Sequence, residues 1–358
     1  MSLRKIGILT GGGDAPGLNA VIRAVVKRGV GQLGWEIHGI EDSFNGLLSI
    51  PPGVRELRPV SCGGLLVKGG TVLGTTNKGD PFAWGADKKD RSEEVAQAVK
   101  ALGLEGLIVV GGDGTQAIGL RLMEERGIPV VGVPKTIDND LSATETTFGF
   151  HSAVDVATEA LDRLHSTAEA HDRVMLLEVM GRDAGHIALH AGIAGGADVI
   201  VLPEIPYDID RICGKIRSRQ AIGRLFTLII VAEGAAPMGG TREKTAKRHG
   251  RGVVRTGGPA NALARQIAER MEVETRVTVL GHLQRGGSPI PYDRILATRF
   301  GVKAAELVEQ GRWGEIAVLR NERVIGVPIS EAVAVNRKVD PDGELVAVAR
   351  AVGVEFGG

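Results

Sequence analysis

The feature that most limits the possible folds of this 358-residue chain is a regular alternation of short apolar runs with longer amphipathic stretches. The run Lys5–Leu9 predicts a strand, and Gly17–Val30, which has apolar residues on one face, predicts the helix that follows. Leu107–Val110 and Val174–Val179 begin further units of the same kind. Strands that alternate with helices favour parallel sheets with helices on both faces, so the sequence predicts an α/β fold.

Further elements continue this alternation along most of the chain. Apolar runs predict strands at 36–40, 130–133, 199–202, 225–231 and 277–280, and amphipathic stretches predict helices at 92–102, 115–125, 152–165, 186–194, 259–271 and 293–308. In such folds ligands bind at the carboxyl ends of the strands, and the glycine-rich segments of this chain fall at those ends.

Composition argues against several other classes of protein. The formal net charge is zero, which favours neither nucleic acid nor an anionic membrane as a partner. The two cysteines, Cys62 and Cys213, lie far apart in no disulfide framework or zinc motif, which fits a reducing cytoplasm. The first residues lead directly into the first apolar run, and we interpret them as part of the fold rather than a signal peptide. No apolar run has the length of a membrane span, so we expect a cytoplasmic protein of about two domains.

Two glycine-rich segments follow predicted strands and precede predicted helices. Gly11–Gly13 follows the first strand, and Gly111–Thr115 follows the strand Leu107–Val110. Glycine lets backbone N–H groups approach an anion closely, and the N-terminus of the next helix adds the positive end of its dipole. Asp113 adds a carboxylate that suits Mg²⁺ near a polyphosphate. Neither segment continues as a Walker A loop, and either one alone is as typical of a structural turn as of a phosphate site.

The segment Pro134–Asp140 carries the densest group of reactive side chains. It follows a predicted strand and contains Lys135, Thr136, Asp138 and Asp140. A purely structural turn with a helix cap is the alternative, because Asp and Asn favour both. Two carboxylates beside a lysine exceed what a cap requires. In phosphoryl transfer, a carboxylate can accept the proton of the acceptor hydroxyl, and a cation can neutralise charge on the phosphoryl oxygens.

Further polar residues follow other predicted strands. Met180–Arg182, Glu233 and Gly281–Arg285 each come after a strand, while Arg173 and Arg276 lie near the beginnings of two strands. Arginine and histidine suit a sugar phosphate, and a carboxylate suits sugar hydroxyls. Each arginine taken singly is better explained by a surface salt bridge than by a ligand contact. Their convergence at the ends of strands favours a sugar phosphate site.

Six motifs occur in an order that resembles the bacterial 6-phosphofructokinases: GGGDAPGLNAVIR, GGDGT, PKTIDND, VMGRDAGHIA, AEG and TRVTVLGHLQRGGSPIPYDR. The resemblance runs from about Lys5 to about Thr298. GGDGT alone also resembles a turn of NAD kinases and lipid kinases, whereas the combination is specific. The resemblance implies an ATP-dependent 6-phosphofructokinase, a glycolytic enzyme that transfers the γ-phosphoryl group to the 1-hydroxyl of fructose 6-phosphate. It also implies two αβα domains with mainly parallel sheets and an active site in the cleft between them.

The resemblance further implies catalytic roles for individual residues. Asp138 resembles the base that deprotonates the sugar 1-hydroxyl. Thr136 and Asp140 resemble its neighbours at the transferring phosphoryl group and the metal. Arg182 and the backbone of Gly13 resemble the groups that stabilise the transition state.

Binding residues follow from the same resemblance. The implied donor-binding residues are Gly13, Asn77, Lys78, Gly112, Asp113, Gly114 and Thr115, with Asp113 as the ligand of a Mg²⁺ cofactor. The implied contacts of fructose 6-phosphate are Thr136, Asp138, Asp140, Arg173, Met180, Gly181, Arg182, Glu233, Arg276, His282 and Arg285. In the family, Arg173 and Arg276 match residues that reach the 6-phosphate from a neighbouring subunit, so we expect a homo-oligomer, dimer or tetramer, with shared active sites.

Two positions bear on whether the donor is ATP or pyrophosphate. In the family, pyrophosphate users carry aspartate at the position of Gly114 and lysine at that of Lys135, whereas ATP users carry glycine at the first and often at the second. An aspartate would put bulk and negative charge where the α-phosphate lies, so Gly114 favours ATP. Lys135 does not block the place of the α-phosphate as an aspartate would, and we expect its flexible side chain to swing aside. Asn77, followed by Lys78, replaces an arginine usual in ATP users, so pyrophosphate remains the alternative donor.

The predicted domains are discontinuous. Residues 1–149 with about 285–334 are expected to bind the phosphoryl donor, and residues 150–284 with about 335–358 are expected to bind fructose 6-phosphate. An inactive sugar-phosphate-binding regulator is a remote alternative, disfavoured because Asp113, Asp138 and Arg182 are all present. The segment Thr241–Arg255 is rich in lysine and arginine, and we predict a solvated, mobile loop there, with a functional basic patch as the alternative.

Overall fold

A computed structural model describes residues 4–240 and 257–358, together with the backbone of two short strands between them. Contacts divide the chain into two compact units. The first unit comprises Met1–Ile137, Leu141–Ser152 and Arg285–Asn336, and the second comprises Asp138–Asp140, Ala153–Gln284 and Arg337–Gly358. Among the described residues, we find no helix with the length and apolar character of a membrane span.

Strands and helices alternate along most of the described chain. The strands are β1 (Lys5–Thr10), β2 (Glu36–Ile40), β3 (Val54–Leu57), β4 (Gly106–Gly111), β5 (Val130–Pro134), β6 (Val174–Val179), β7 (Val199–Val201), β8 (Thr227–Ala232), β9 (Ala246–His249), β10 (Gly252–Arg255), β11 (Thr275–Val279), β12 (Glu315–Arg320) and β13 (Arg323–Pro328). The helices are α1 (Leu18–Leu33), α2 (Asn45–Leu48), α3 (Ser92–Ala101), α4 (Asp113–Arg126), α5 (Phe150–His171), α6 (His186–Ala194), α7 (Ile209–Ala221), α8 (Pro259–Ala268), α9 (Pro291–Glu309), α10 (Ile329–Val333) and α11 (Glu344–Ala351).

The first unit is built on a sheet with the strand order β13-β12-β5-β4-β1-β2-β3. Its inner strands pair in parallel, and the edge strands β3 and β13 pair antiparallel with their neighbours. The central strand β4 contains Leu107, Ile108, Val109 and Val110, all fully buried. Burial of one such side chain contributes about 1.5–3 kcal/mol, so the centre of this sheet is a main source of the unit's stability. The parallel order brings the carboxyl ends of β1, β4 and β5 together.

The second unit is built on a sheet with the strand order β11-β6-β8-β7, in which every pair is parallel. Val279 of β11, Glu178 of β6 and Val231 of β8 are in register. The carboxyl ends of these three strands therefore lie side by side. The α/β fold with mainly parallel sheets that the sequence predicts is confirmed.

Several elements of the described structure, among them α7 and the hairpin of β12 and β13, were not predicted from the sequence. Helix α7 buries Ile212, Cys213 and Ile216, whose helical spacing is interrupted in the sequence by many charged residues. The hairpin of β12 and β13 turns at Asn321 and Glu322, which have φ values of 48° and 61°. Asparagine tolerates this conformation, so Asn321 is a sequence signal for this turn.

The strand predicted at 277–280 also begins earlier than expected. Strand β11 starts at Thr275, so Arg276 lies within the strand. The β-branched residues Thr275, Val277, Thr278 and Val279 favour extended backbone on both sides of this arginine. The predicted beginning at 277 is therefore wrong by two residues.

Part of the basic segment Thr241–Arg255 lies outside the described residues. The backbone of β9 and β10 is described, and these strands pair antiparallel. A hairpin therefore occupies part of the segment in which a loop was predicted, and the rest of that prediction lies outside the described residues.

Candidate active site

In the first unit, the glycine turn after β1 packs tightly against its neighbours. The Gly12 N donates to the Thr76 carbonyl at 3.1 Å, and Thr75 Oγ1 donates to the Gly12 carbonyl at 2.6 Å. Gly12 has a φ of +78°, which favours glycine. A Cβ atom added to Gly13 would lie 2.6 Å from Arg285 Nη1, so a side chain at this position would require the Arg285 guanidinium to move.

Three of the residues predicted at the donor site surround Gly12. A Cβ atom placed on this glycine would lie 3.4 Å from Lys135 Nζ, 3.5 Å from Thr115 Oγ1 and 3.9 Å from Asn77 Oδ1. Asn77 and the following Lys78 are exposed. The ends of β1, β4 and β5, together with the segment that contains Asn77, thus bring hydroxyl, amide and ammonium groups to one place within the first unit.

Lys135 differs from the expectation of a flexible side chain. It is 3% exposed, and its ammonium group donates a hydrogen bond to the Gly13 carbonyl. A buried ammonium is costly without partners, which keeps the side chain in place. Lys135 therefore stabilises the Gly13 turn, and its stem is not free to swing aside.

Helix α4 begins at Asp113, directly after β4. Asp113 is half-buried in the first turn, where a carboxylate interacts favourably with the helix dipole. The next residue, Gly114, is exposed, and a Cβ atom added there would meet no atom within 4 Å. The fold itself therefore does not require glycine at position 114.

A buried amide that was not predicted fixes the ends of two strands. Gln116 is fully buried, and its Nε2 donates to the carbonyls of Val109, Gly111 and Val133 at 3.0, 3.2 and 2.9 Å. It joins β4 to β5 beside the glycine turn. No sequence pattern shows that a polar residue of an amphipathic helix is buried, so the role of Gln116 could not be predicted from the sequence.

In the second unit, the turn at 138–140 is buried and firmly held. Asp138, Asn139 and Asp140 are 7%, 4% and 5% exposed. Asn139 has a φ of +55°, which asparagine tolerates better than most residues. The Arg337 N donates to the Asp140 carbonyl at 2.7 Å, and Arg337 Nε donates to the Asn139 carbonyl at 3.2 Å. The carboxylate of Asp138 therefore belongs to a rigid turn.

The loop after β6 brings together several of the predicted acceptor residues. The Met180 N donates to Gln284 Oε1, and the Arg182 N donates to Glu233 Oε1, both at 2.8 Å. Gly181 and Arg182 have φ values of +145° and +55°. Backbone with positive φ values persists where surrounding hydrogen bonds fix it, and it is frequent at functional sites. This loop and Glu233 lie at the carboxyl ends of β6 and β8.

Arg173 and Arg276 lie at the opposite ends of the strands from this loop. Arg173 Nε is 3.0 Å from Glu274 Oε2, and Arg276 forms an ion pair with Glu274 Oε1. The hydrogen bond from Arg173, together with the charges of both arginines, holds the pKa of Glu274 below its usual range. Two cations share one carboxylate, so the pair keeps a net positive charge that suits a phosphate. This chain does not bring these arginines to the loop of Arg182.

The comparisons with known proteins extend over nearly the whole chain. The family model described as Phosphofructokinase matches residues 5–308. A relative from Synechocystis sp., named ATP-dependent 6-phosphofructokinase 1, is 50% identical over 358 residues, which are 99% of this chain and 99% of the relative. This chain belongs to the phosphofructokinase family. The family predicted from the motifs is confirmed.

Other phosphofructokinases add information on donor and fold. A relative from Streptomyces coelicolor, named pyrophosphate–fructose 6-phosphate 1-phosphotransferase, is 47% identical over 357 residues, which are 99% of this chain and 100% of the relative. The crystal structure of Pichia pastoris phosphofructokinase in the T-state matches with a TM-score of 0.82 and 29% identity. That match covers 98% of this chain and 36% of the Pichia chain, so this chain spans about a third of that protein's length.

In this phosphofructokinase, two predicted sugar contacts have different surroundings. Arg285 belongs to the first unit, and its Nη1 donates to the Asp14 carbonyl at 3.0 Å. His282 belongs to the second unit and is exposed after β11. Arg285 therefore stabilises the turn of Gly13, while His282 lies near the carboxyl ends of the second sheet.

Proposed function

We propose that this chain is an ATP-dependent 6-phosphofructokinase, which transfers the γ-phosphoryl group of ATP to the 1-hydroxyl of fructose 6-phosphate in glycolysis. The observation that carries this assignment is the full-length likeness to a relative named ATP-dependent 6-phosphofructokinase 1. The chemistry of each unit supports it. Glycine turns and a helix N-terminus in the first unit suit phosphates, while carboxylates and arginines in the second suit a phosphorylated sugar.

Asp138 is the proposed base of the reaction. It takes the proton of the sugar 1-hydroxyl as the new bond to phosphorus forms. Because Arg337 fixes the backbone of this turn, little reorganisation is required in the transition state. Thr136 and Asp140 flank the transferring phosphoryl group. Glu233 accepts hydrogen bonds from sugar hydroxyls.

The remaining sugar contacts bind the ring and its phosphate. In the proposed site they are Met180, Gly181, His282 and Arg285. Arg173 and Arg276 bind the 6-phosphate from a neighbouring subunit, so the enzyme acts as a homo-oligomer, dimer or tetramer. Their shared Glu274 leaves them a net positive charge, which supports this role.

On the donor side, backbone N–H groups of the turn and of the first residues of α4 contact the phosphates. The proposed donor contacts are Gly13, Asn77, Lys78, Gly112, Asp113, Gly114 and Thr115. The backbone of Gly13 and the guanidinium of Arg182 stabilise the charge of the transferring group in the transition state.

Mg²⁺ is the proposed cofactor, and Asp113 is its proposed ligand. Mg²⁺ is usually bound by one or two carboxylates together with substrate phosphates and water. Among the described residues, no group of three or more His, Cys, Asp or Glu side chains could hold a metal ion. A half-buried carboxylate at a helix N-terminus fits Mg²⁺ that arrives with the nucleotide. When bound, Mg²⁺ neutralises charge on the donor phosphates.

Pyrophosphate is the alternative donor, and the name of the Streptomyces relative and the presence of Lys135 favour it. The hydrogen bond of Lys135 to the Gly13 carbonyl, however, stabilises the turn with either donor. Gly114 leaves open space at the start of α4, which favours the bulkier nucleotide. ATP is therefore preferred.

Identification of the products tests this assignment. Purified protein with ATP, Mg²⁺ and fructose 6-phosphate is expected to form ADP and fructose 1,6-bisphosphate in equal amounts, as measured by phosphorus NMR. Protein carrying Asp138→Asn, prepared in the same way, controls for contaminating kinases. Absence of the bisphosphate with both ATP and pyrophosphate would overturn the assignment and favour the inactive regulator.

A further inference from the structure

One carboxylate of the second unit joins the loop of Arg182 to the segment that holds the turn 138–140. Glu204 follows β7, and its Oε1 accepts hydrogen bonds from the Gly185 N and the Val339 N, both at 2.9 Å. Its Oε2 is buried without a hydrogen-bond partner among the described residues. Burial of a carboxylate oxygen without a hydrogen-bond partner destabilises the folded state. The structural reason for Glu204 must therefore lie in the two hydrogen bonds that its other oxygen accepts.

The first of these bonds fixes the loop of Arg182. Gly185 ends this loop and immediately precedes α6. A Cβ atom added to Gly185 would lie 2.8 Å from Glu204 Oε2 and 2.7 Å from Leu202 Cδ2, so the loop backbone packs directly on the carboxylate. Anchoring Gly185 restricts the short turn in which Arg182 has its left-handed conformation.

The second bond fixes the segment that holds the turn 138–140. Val339 is 5% exposed and lies two residues after Arg337. Arg337 donates two hydrogen bonds to carbonyls of the turn. Because Glu204 Oε1 accepts from Gly185 as well as Val339, one oxygen links the segment behind this turn to the other loop.

We infer that Glu204 is a positioning residue for phosphoryl transfer, which keeps Arg182 and Asp138 in a fixed mutual geometry without touching substrate. This role rests on the proposed function, because the two loops matter together only if Arg182 and Asp138 act on the same phosphoryl group. Misplacement of a catalytic group by about 1 Å can lower a rate on the order of 10²-fold. Loss of Glu204 should therefore lower kcat far more than it raises the KM for fructose 6-phosphate.

Three variants test this role by steady-state kinetics. Glu204→Ala should lower kcat by on the order of 10–10²-fold. Glu204→Gln keeps a carbonyl oxygen that can accept both bonds, so it should recover most of kcat. Glu355→Ala is the matched control. Glu355 Oε1 also accepts two backbone hydrogen bonds, from the Phe356 N at 3.1 Å and the Gly357 N at 2.7 Å. These two partners belong neither to the loop of Arg182 nor to the segment that holds the turn 138–140. Glu355→Ala should lower Tm without lowering kcat.

Hydrogen exchange without substrates separates this inference from the proposed function. Glu204→Ala should speed exchange of peptides spanning 138–140 and 181–186 together, and Glu355→Ala should leave both unchanged. If Glu204→Ala does not fold, Arg337→Lys takes its place. This variant removes the Nε donor to the Asn139 carbonyl, so it should likewise speed hydrogen exchange at 138–140 and lower kcat.

Unchanged exchange at 138–140, or an equal loss of kcat in Glu355→Ala, would overturn the positioning role even in an active phosphofructokinase. A wild-type protein inactive with both donors would instead overturn the proposed function, and with it the catalytic meaning of Glu204, whatever the exchange shows.

Discussion

Among single residues, Asp138 bears most directly on the proposed chemistry. Asparagine keeps the size of the side chain but cannot accept the hydroxyl proton, so Asp138→Asn should lower kcat by on the order of 10²–10⁴. Binding of fructose 6-phosphate should change little. Steady-state kinetics check both effects, with Asp162→Asn, an exposed carboxylate of α5, as the matched control. A variant that keeps the kcat of the wild type would rule out this role for Asp138.

Gly114 allows a test of donor specificity that does not disturb the fold. Gly114→Asp should lower ATP-dependent kcat/KM far more than it alters fructose 6-phosphate binding, because it adds negative charge near the nucleotide phosphates. A Cβ atom at this position meets no atom within 4 Å, and a carboxylate is favourable in the first turn of α4, so the variant should be as stable as the wild type.

The matched control for this test is Gly114→Ala, which adds a methyl group without charge. It should retain most of the ATP-dependent kcat/KM. An equal loss in both variants would contradict the charge argument, and no loss in Gly114→Asp would remove the structural reason for preferring ATP.

Residues of the site differ in how far the sequence could reveal them. Asp113, Asp138 and Arg182 stand in compact motifs after predicted strands, so type and spacing pointed to them. Gln116 and Glu204 act through hydrogen bonds to backbone that lies 17 to 135 residues away in the sequence. Such roles depend on tertiary contacts, and no local sequence pattern indicates them.

At the scale of elements, helix α6 carries a buried histidine beside the proposed acceptor loop. His186 is 8% exposed, and burial, with smaller effects of the charges of Arg337 and His190, lowers its pKa to about 4. The ordinary pKa of histidine is 6.5. Between these two pH values the unfolded chain binds more protons than the folded chain. Stability that is present above pH 6.5 is therefore lost as the pH falls towards 4.

His186→Gln should flatten this part of the stability profile. Glutamine has a similar volume and gains no proton in this range, so up to about 3 kcal/mol of the decrease in the free energy of unfolding between pH 6.5 and 4 should disappear. Urea unfolding at several pH values measures the effect. An unaltered slope in the variant would show that another group controls the acid sensitivity.

Elements were predictable where apolar periodicity was strong. The strands β2 and β6 and the helix α6 have the predicted bounds, because apolar runs and glycine turns delimit them. Helix α7 was missed because charged residues separate its buried positions. The edge strand β13 pairs on one side and alternates in burial, so its local pattern is weaker than that of a central strand.

At the scale of the whole molecule, the proposed site requires residues from neighbouring subunits. If Arg173 binds the 6-phosphate at a site whose base belongs to another subunit, mixing Arg173→Ala with Asp138→Asn should restore activity. After subunit exchange, some sites would then contain both intact groups. Activity of the mixture is compared with that of each variant carried through the same exchange. An active monomer in sedimentation, or no recovery in an exchanged mixture, would contradict shared sites.

The predicted assignment of donor binding to the first unit and sugar binding to the second remains a prediction. The glycine turns and Asp113 belong to the first unit, and Asp138, Arg182 and Glu233 belong to the second. Binding of a nucleotide or of fructose 6-phosphate, followed by hydrogen exchange, would test each assignment separately.

The most direct test of the central claim is the kcat/KM of the wild-type protein for each donor, with saturating fructose 6-phosphate and Mg²⁺. ATP and pyrophosphate are offered separately in one coupled assay that detects fructose 1,6-bisphosphate. The open space at Gly114 predicts a larger value for ATP, while Lys135, which holds the Gly13 turn with either donor, does not discriminate between them. A larger value for pyrophosphate would contradict the assignment of the donor, and the chain would then be a pyrophosphate-dependent member of the same family.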